Sequence, residues 1–331
     1  RLMQKPKVII TSSKKTGGVR TFSQALASAL SHLGYECALV DSIQELLKPA
    51  MLHQLRQPGV VLISSLGFGV FNLFARSSIY VLHGFPRLDD AGLFGFIKVA
   101  LATKIFARWA TRVTAISQLT YLANAAFFGI RSHRVIGNPF ISQESLTRKE
   151  AKDEIIRVLY VGRLVGVKRV EQIVRGFLLA VQQEPRLHLE IVGSGPEEHS
   201  LRKLADHPSI SFASSMPNSE ALAKMNQSDI FISLAEGENF GITFVEALAS
   251  GCYLVCPTSG GHLDWVVDYP QVAYVKNIFD PKEVAEAMLE AVKKLDCPRK
   301  PLDAEWNLSV ARKYDALILE AVNEKARKNI S

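Results

Sequence analysis

The chain has 331 residues, 48% hydrophobic and 21% charged, which excludes a disordered protein and describes a soluble globular one of about two domains. Its net charge of +7 is uneven: residues 1–150 hold 18 Lys and Arg against 7 Asp and Glu, and residues 151–331 hold 21 against 25. Four scattered cysteines (Cys37, Cys252, Cys256, Cys297) without a matching His/Cys cluster exclude a zinc site of the usual spacing, and they ask for no oxidising compartment.

A basic first half suits an anionic partner, whether nucleic acid or a membrane surface; a solubilising coat explains the same count. Few aromatics are interleaved with that charge, so nucleic acid is not expected. No secretory signal pattern opens the chain, and the expected location is the cytoplasm. Residues 57–75 carry no charge and have the length of a membrane span. Pro58, Gly59, Gly67, Gly69 and Asn72 interrupt them, so they are read as strand, loop and helix.

Residues 7–11 are predicted as a buried strand, since Val8, Ile9 and Ile10 are consecutive apolar residues. Gly17-Gly18 leads into an amphipathic helix that runs to about Leu33, and Gly34 precedes a second strand at 37–40. Glycines in such a turn let backbone approach a ligand closely. The signal is weak alone, and it is not the dinucleotide pattern G-x-G-x-x-G. Strands are predicted at 60–64, 79–83, 113–116 and 134–136. His83-Gly84 closes one of them at the end where open α/β sheets place ligands; a structural histidine and a ligand contact both suit that position. Arg87 is a candidate for an acceptor phosphate, or for a pair with Asp89 or Asp90. Residues 91–111 read as a helix rich in Leu, Phe and Ile with Lys98 on it. Lys104, Arg108 and Arg112 recur every four residues and so share one face. That face is either laid on an anionic membrane or the solvated side of a core-packed helix. The polar stretch 142–153 reads as a linker, and strand–helix alternation restarts at Ile155.

In the second half a strand at 158–161 runs into Gly162-Arg163, with Lys168 at the start of a helix. Two fixed cations suit a diphosphate, and each taken alone is equally a surface cation. A strand at 189–192 ends in Gly193, whose turn would let a base lie against backbone. A strand at 210–212 precedes Met216. The stretch 233–261 is the densest in signals: strand, polar turn, helix over 243–250, strand, and Gly260-Gly261. Glu238 lies in the turn and Glu246 in the helix, eight positions apart. The amides of Phe240, Gly241, Ile242 and Thr243 sit at that helix N-terminus, where anions bind well. Carboxylates for hydroxyls beside amides for phosphate are what a nucleotide sugar needs.

This stretch resembles the signature of retaining glycosyltransferases of the GT-B fold, specifically the large family 4 type that includes many bacterial polysaccharide and glycolipid transferases. The matching residues are Glu238, Phe240-Gly241, Glu246-Ala247, Gly251 and Gly260-Gly261, with Gly162-Arg163 and Lys168 upstream. Arg169 departs from the glycine often found after that lysine; His262 and Asp264 stand where Pro and Glu are common. The resemblance runs from Gly17-Gly18 to the terminal helix. It implies an α/β chain of two doubly wound Rossmann-like domains facing across a cleft. Residues 1–148 would bind acceptor and 149–312 the nucleotide sugar, with a helix over about 313–331 packing back on the first domain. The implied reaction moves a hexose, with retention, from a UDP- or GDP-sugar to a hydroxyl of a glycan or lipid-linked acceptor, in cell-surface polysaccharide or lipopolysaccharide synthesis. It needs no cofactor, and no metal is expected, there being no Asp-x-Asp motif. The enzyme would sit peripherally on the inner face of the cell membrane, on an anionic surface.

The resemblance also assigns residues. His83, Arg163, Lys168 and Glu238 would act on the donor sugar and leaving diphosphate. Gly17, Gly18, Gly193, Met216, Phe240, Gly241, Ile242, Thr243 and Glu246 would bind the donor, Glu246 through the ribose hydroxyls. A nucleotide-sugar epimerase on the same fold, or a non-catalytic basic binding module, remains as the alternative.

Overall fold

The structure, a computed structural model, describes residues 5–14, 17–141, 155–302 and 305–328, with backbone alone for 88–91 and 325–328. The chain divides into two compact units: residues 1–141 with 304–331, and residues 142–303. The expected linker at 142–153 and the boundary placed at 148 lie outside the described residues.

The first unit begins β1 (Lys7–Thr11), α1 (Gly18–His32), β2 (Cys37–Val40), α2 (Ile43–Leu46), α3 (Pro49–Leu55) and β3 (Val60–Ser64). It continues β4 (Ser77–Leu82), α4 (Leu88–Trp109), β5 (Arg112–Ala115), α5 (Gln118–Phe128) and β6 (Arg134–Val135). The second unit holds β7 (Ile156–Val161), α6 (Val170–Gln183), β8 (Leu187–Val192), α7 (Glu198–Leu204), β9 (Ile210–Ala213) and α8 (Asn218–Gln227). Then come β10 (Ile230–Ile232), α9 (Ile242–Ala249), β11 (Tyr253–Pro257), α10 (Leu263–Val266), β12 (Val272–Val275) and α11 (Pro281–Lys294). The last helix, α12 (Trp306–Lys328), belongs to the first unit.

Each unit is a six-stranded sheet, ordered β2-β1-β3-β4-β5-β6 and β12-β11-β10-β7-β8-β9. Every pairing is parallel. Strands covered on both faces should be apolar throughout, and β3, β4 and β11 are buried along their whole length. The order reverses between β1 and β3 in the first sheet and between β7 and β10 in the second. At such a switch point the loops after neighbouring strands run apart and leave a crevice.

Two sequence expectations are corrected. The stretch of α12 before residue 313 belongs with the first unit, where Trp306 Nε1 donates to the Asn138 carbonyl at 2.9 Å and Val310, Ala311 and Tyr314 are buried. Arg112 is not on α4. Ser78 and Thr111 exchange two backbone-to-hydroxyl hydrogen bonds (3.1 and 3.3 Å), which pin residue 111 beside β4 and end the helix. Arg112 therefore opens β5 and pairs with Glu320 and Glu324 of α12, so it adds nothing to the basic face.

Candidate active site

The loops after β7 and β10 flank the switch point of the second sheet. A left-handed turn starts α9: Gly241 has φ 78°, and a Cβ there would come within 2.6 Å of the Phe244 ring and 3.0 Å of His262. Glu238 caps this turn, accepting from the Gly241 amide at 3.2 Å through Oε1. Its Oε2 accepts from Lys168 Nζ at 3.2 Å. Its own carbonyl accepts from the Gly261 amide at 2.7 Å, which fixes the Gly260-Gly261 turn against the loop. Burial opposes ionisation of Glu238, but Lys168, the Gly241 amide and nearby His262 hold its pKa below the usual value.

The loop carrying Lys168 differs from expectation. Lys168 ends a 3₁₀ turn (Gly166–Lys168) rather than starting the helix, and α6 begins at Val170. Between them Arg169 adopts φ 52°, ψ 37°, a left-handed conformation that glycine takes more cheaply. It is the one non-glycine residue with positive φ among those described. Its guanidinium contacts Glu236 Oε1 at 2.8 and 3.0 Å and lies 4.9 Å from the Phe279 ring centre. The Glu236 amide donates to the Val167 carbonyl at 2.9 Å. Two adjacent cations thus meet two carboxylates from the other loop, Lys168 with Glu238 and Arg169 with Glu236. The ion pair with Glu236 holds Arg169 in this left-handed turn.

Arg163 is exposed, and its carbonyl accepts from the Tyr160 hydroxyl at 3.0 Å. Gly193 has φ 154°, and a Cβ on it would lie 1.9 Å from the Gly162 carbonyl. Close approach of two strand ends is what this glycine visibly serves. Met216 is half-buried just before α8.

Of the four amides expected at the start of α9, that of Gly241 is taken by Glu238. Those of Ile242 and Thr243 make no hydrogen bond among the described residues. Phe240 is a core side chain against Trp265, whose Nε1 donates to the Phe240 carbonyl at 3.1 Å. Glu246 is 3% exposed, and the Asn218 amide donates to it at a long 3.4 Å. Burial pushes its pKa up to about 7, offset only in part by Asn218. The ribose role assigned from the resemblance required no shifted pKa; burial shifts the carboxyl all the same. His262 is fully buried, its Nε2 donating to the Pro257 carbonyl at 2.9 Å, and burial lowers its pKa. It fills the floor beneath the Gly260 turn.

In the first unit, Gly17 and Gly18 form the N-terminus of α1, and nothing lies within 4 Å of where a Gly17 side chain would begin. His83 follows β4 directly and stands edge-on to Phe22, with ring centres 4.6 Å apart. Burial pushes it down to about 4, so it is neutral at pH 7. Arg87 precedes α4, and its proposed pairing with Asp89 or Asp90 falls outside the described side chains. The structure brings Lys168, Glu238, Gly241 and Glu246 into one unit, and places His83, Arg87, Gly17 and Gly18 in the other. Sequence reasoning missed Asn218, Glu236 and Tyr160. Asn218 opens a helix directly after a proline, the one local signal among them.

Two parallel six-stranded units, each with one reversal of strand order, are the architecture of the GT-B fold. Residues 142–301, most of the second unit, match the family described as Glycosyl transferases group 1. The chain is similar to the capsular polysaccharide biosynthesis glycosyltransferase CapM of Staphylococcus aureus, 23% identical over 76% of this chain and 72% of CapM. A second relative is the UDP-N-acetylglucosamine–peptide N-acetylglucosaminyltransferase GtfA subunit of Streptococcus pneumoniae, 26% identical over 37% of this chain and 24% of that protein. The chain spans under a third of the length of several curated relatives it matches. Among solved structures, Anabaena Alr3699/HepE in complex with UDP superposes with a TM-score of 0.63 at 15% identity, covering 98% of this chain and 99% of HepE.

Proposed function

We propose that the chain transfers a hexose from a UDP- or GDP-sugar to an acceptor hydroxyl with retention of configuration. The carrying observation is the Lys168–Glu238 pair at the N-terminus of α9, with Glu246 buried one helical turn further on. Negative charge grows on the leaving diphosphate as the glycosidic bond breaks. In this reading Lys168, Arg163 and the Ile242 and Thr243 amides receive it, and the diphosphate needs no metal. Glu238, freed from Lys168 as the diphosphate takes that cation, accepts from sugar hydroxyls. Glu246 accepts from the ribose. The acceptor hydroxyl attacks from the face the diphosphate leaves, and the departing phosphate takes its proton. HepE was solved with UDP and glucose, which is in keeping with this reading.

The same reading places the enzyme at a membrane surface, in synthesis of a cell-surface polysaccharide or glycolipid. Helix α4 exposes Phe94 (88%), Ile97, Leu101 and Ile105, with exposed Lys98, Lys104 and Arg108 among them on one face. That is the pattern of a helix lying in an anionic interface. No described helix is long and apolar enough to cross a membrane. The partner is a peripheral surface.

Thermal shift against UDP, GDP, ADP and CMP tests the donor assignment, since a ligand that prefers the folded state raises the melting temperature. The expected result is a selective rise with UDP or GDP that Glu246→Ala removes. No response to any nucleoside diphosphate would sink the reading. Flotation with anionic liposomes tests the surface: Phe94→Ser with Leu101→Ser should abolish it, and unchanged flotation would remove α4 as the contact.

A further inference from the structure

The first sheet has its own switch point, between β1 and β3, where α/β folds receive ligands. A cavity of about 780 Å³ opens there, within the range of small-molecule sites. Much of its wall is apolar, formed by Val19, Ile43, Leu66, Phe68, Phe85 and Val99. Its polar end is drawn from strand ends: Ser12 to Lys14 after β1, Asp41 after β2, and His83 after β4. Lys14 and Asp41 are the charged side chains among the described lining residues. His83 is neutral at pH 7, able to accept or donate one hydrogen bond at each ring nitrogen.

The wall decides the class of occupant. A glycan is polar over most of its surface and would leave hydroxyls unpaired against Phe68, Phe85 and Leu66. Hydrocarbon fills such a wall favourably. The geometry of α4 points the same way. Val99 and Thr103 line the cavity from one side of the helix, while Phe94, Ile97, Leu101 and Ile105 are exposed on the other. One helix is therefore both a wall of the cavity and the bearer of an apolar, basic outer face. The charge of that face complements an anionic headgroup layer, and no acidic residue lies between 91 and 109.

We infer that this cavity is the acceptor site and that it takes the hydrocarbon next to the headgroup of an amphipathic lipid, with the acceptor hydroxyl at the His83 end. The inference rests on the transferase reading above and narrows its acceptor from glycan or lipid to lipid.

Binding of submicellar n-alkyl glucosides, from butyl to octyl, to the intact chain is the test, read by calorimetry. Affinity should tighten about fourfold for each added methylene. Ile43→Asp and Leu66→Asp should each weaken the longest homologue tenfold or more. Both side chains reach solvent, at 50% and 41% exposure, so the substitutions leave the core intact. A parallel series of n-alkyl phosphates separates the two lipid sources. Tighter binding than the glucosides, lost in Lys14→Ala, identifies a lipid phosphate; equal binding identifies an uncharged glycolipid. Affinity that ignores chain length, with free glucose as good as octyl glucoside, overturns the inference in favour of a glycan. UDP and GDP binding to the same preparation is the control. If it is retained while the alkyl series is flat, the cavity assignment alone fails; if it is absent, the transferase reading fails first.

Discussion

Both units carry a six-stranded parallel sheet with one reversal of strand order, yet they furnish that reversal differently. The second unit crowds it with polar groups already engaged with one another: Lys168 with Glu238, Arg169 with Glu236, Asn218 with Glu246. The first leaves a roomy, largely apolar cavity with a neutral histidine at its end. A charged diphosphate is held by preorganised charge, which must be fixed to within a fraction of an ångström. A hydrocarbon is held by shape and area, which tolerate a looser wall. The same architecture serves both because chemistry at a switch point resides in loops, not in the sheet.

The largest expected contrast concerns two loop glycines, Gly193 just after β8 and Gly17 at the N-cap of α1. Gly193→Ala drives a methyl into the Gly162 carbonyl and adds backbone strain, and should cost at least about 4 kcal/mol in denaturant unfolding. Gly17→Ala meets no neighbour and carries strain alone, about 2 kcal/mol. Equal costs would show that the approach of Gly193 to the Gly162 carbonyl is not the tighter packing. Next comes Lys168→Ala, which should slow transfer by about a hundredfold, roughly 3 kcal/mol, and raise the Glu238 pKa toward the ordinary value. A kcat within threefold of the parent would exclude Lys168 from the charge-bearing set.

Glu246 gives a pH signature opposite in sign to that of His83 in the first unit, whose lowered pKa makes stability rise with pH between about 4 and 6.5. The Glu246 pKa is raised from 4.5 to about 7, so the folded state loses stability as pH climbs between those values. Above pH 7 the loss is about 3 kcal/mol. Glu246→Gln should therefore raise the melting temperature at pH 8, leave it nearly unchanged at pH 4, and weaken nucleoside diphosphate binding about tenfold. A melting-temperature difference between parent and Glu246→Gln that is the same at pH 4 and pH 8 contradicts the assignment. The smallest effect is expected from Arg169→Gly. Relief of the left-handed strain and loss of a half-exposed ion pair nearly cancel, leaving stability within about 1 kcal/mol. Activity should fall severalfold, because the loop holding Lys168 loses its second tie; unchanged activity would make that tie ornamental.

The sheets were legible because their strands are short continuous apolar runs, and the predicted strands fall within about two residues of the observed ones. Glu238 and Glu246 were legible because turn and helix are contiguous. Pairings between loops were not. Lys168 and Glu238 are 70 residues apart, and nothing local tells that they meet. Arg112 looked helical because its spacing from Arg108 is right; what removes it is a contact from β4, 33 residues upstream. The first-unit cavity was legible only in part, in the loops at Leu66 and Phe85. Val19, Ile43 and Val99 each read as ordinary apolar residues, and only the strand order brings them beside those loops.

The first unit is discontinuous along the chain, since α12 returns to it after the whole second unit. In that helix Tyr314, Leu317, Ile318 and Ala321 are buried, and Tyr314 lies by Phe22 of α1. During synthesis, then, the N-terminal portion leaves the ribosome with one flank of its core uncovered. It must wait until residues 306–328 have emerged, by which time the second unit can already be folded. Order of emergence and order of completion are thus inverted. A ribosome stalled before residue 306 would hold a complete second unit beside a first unit whose α1 and β4 still lack the cover of α12.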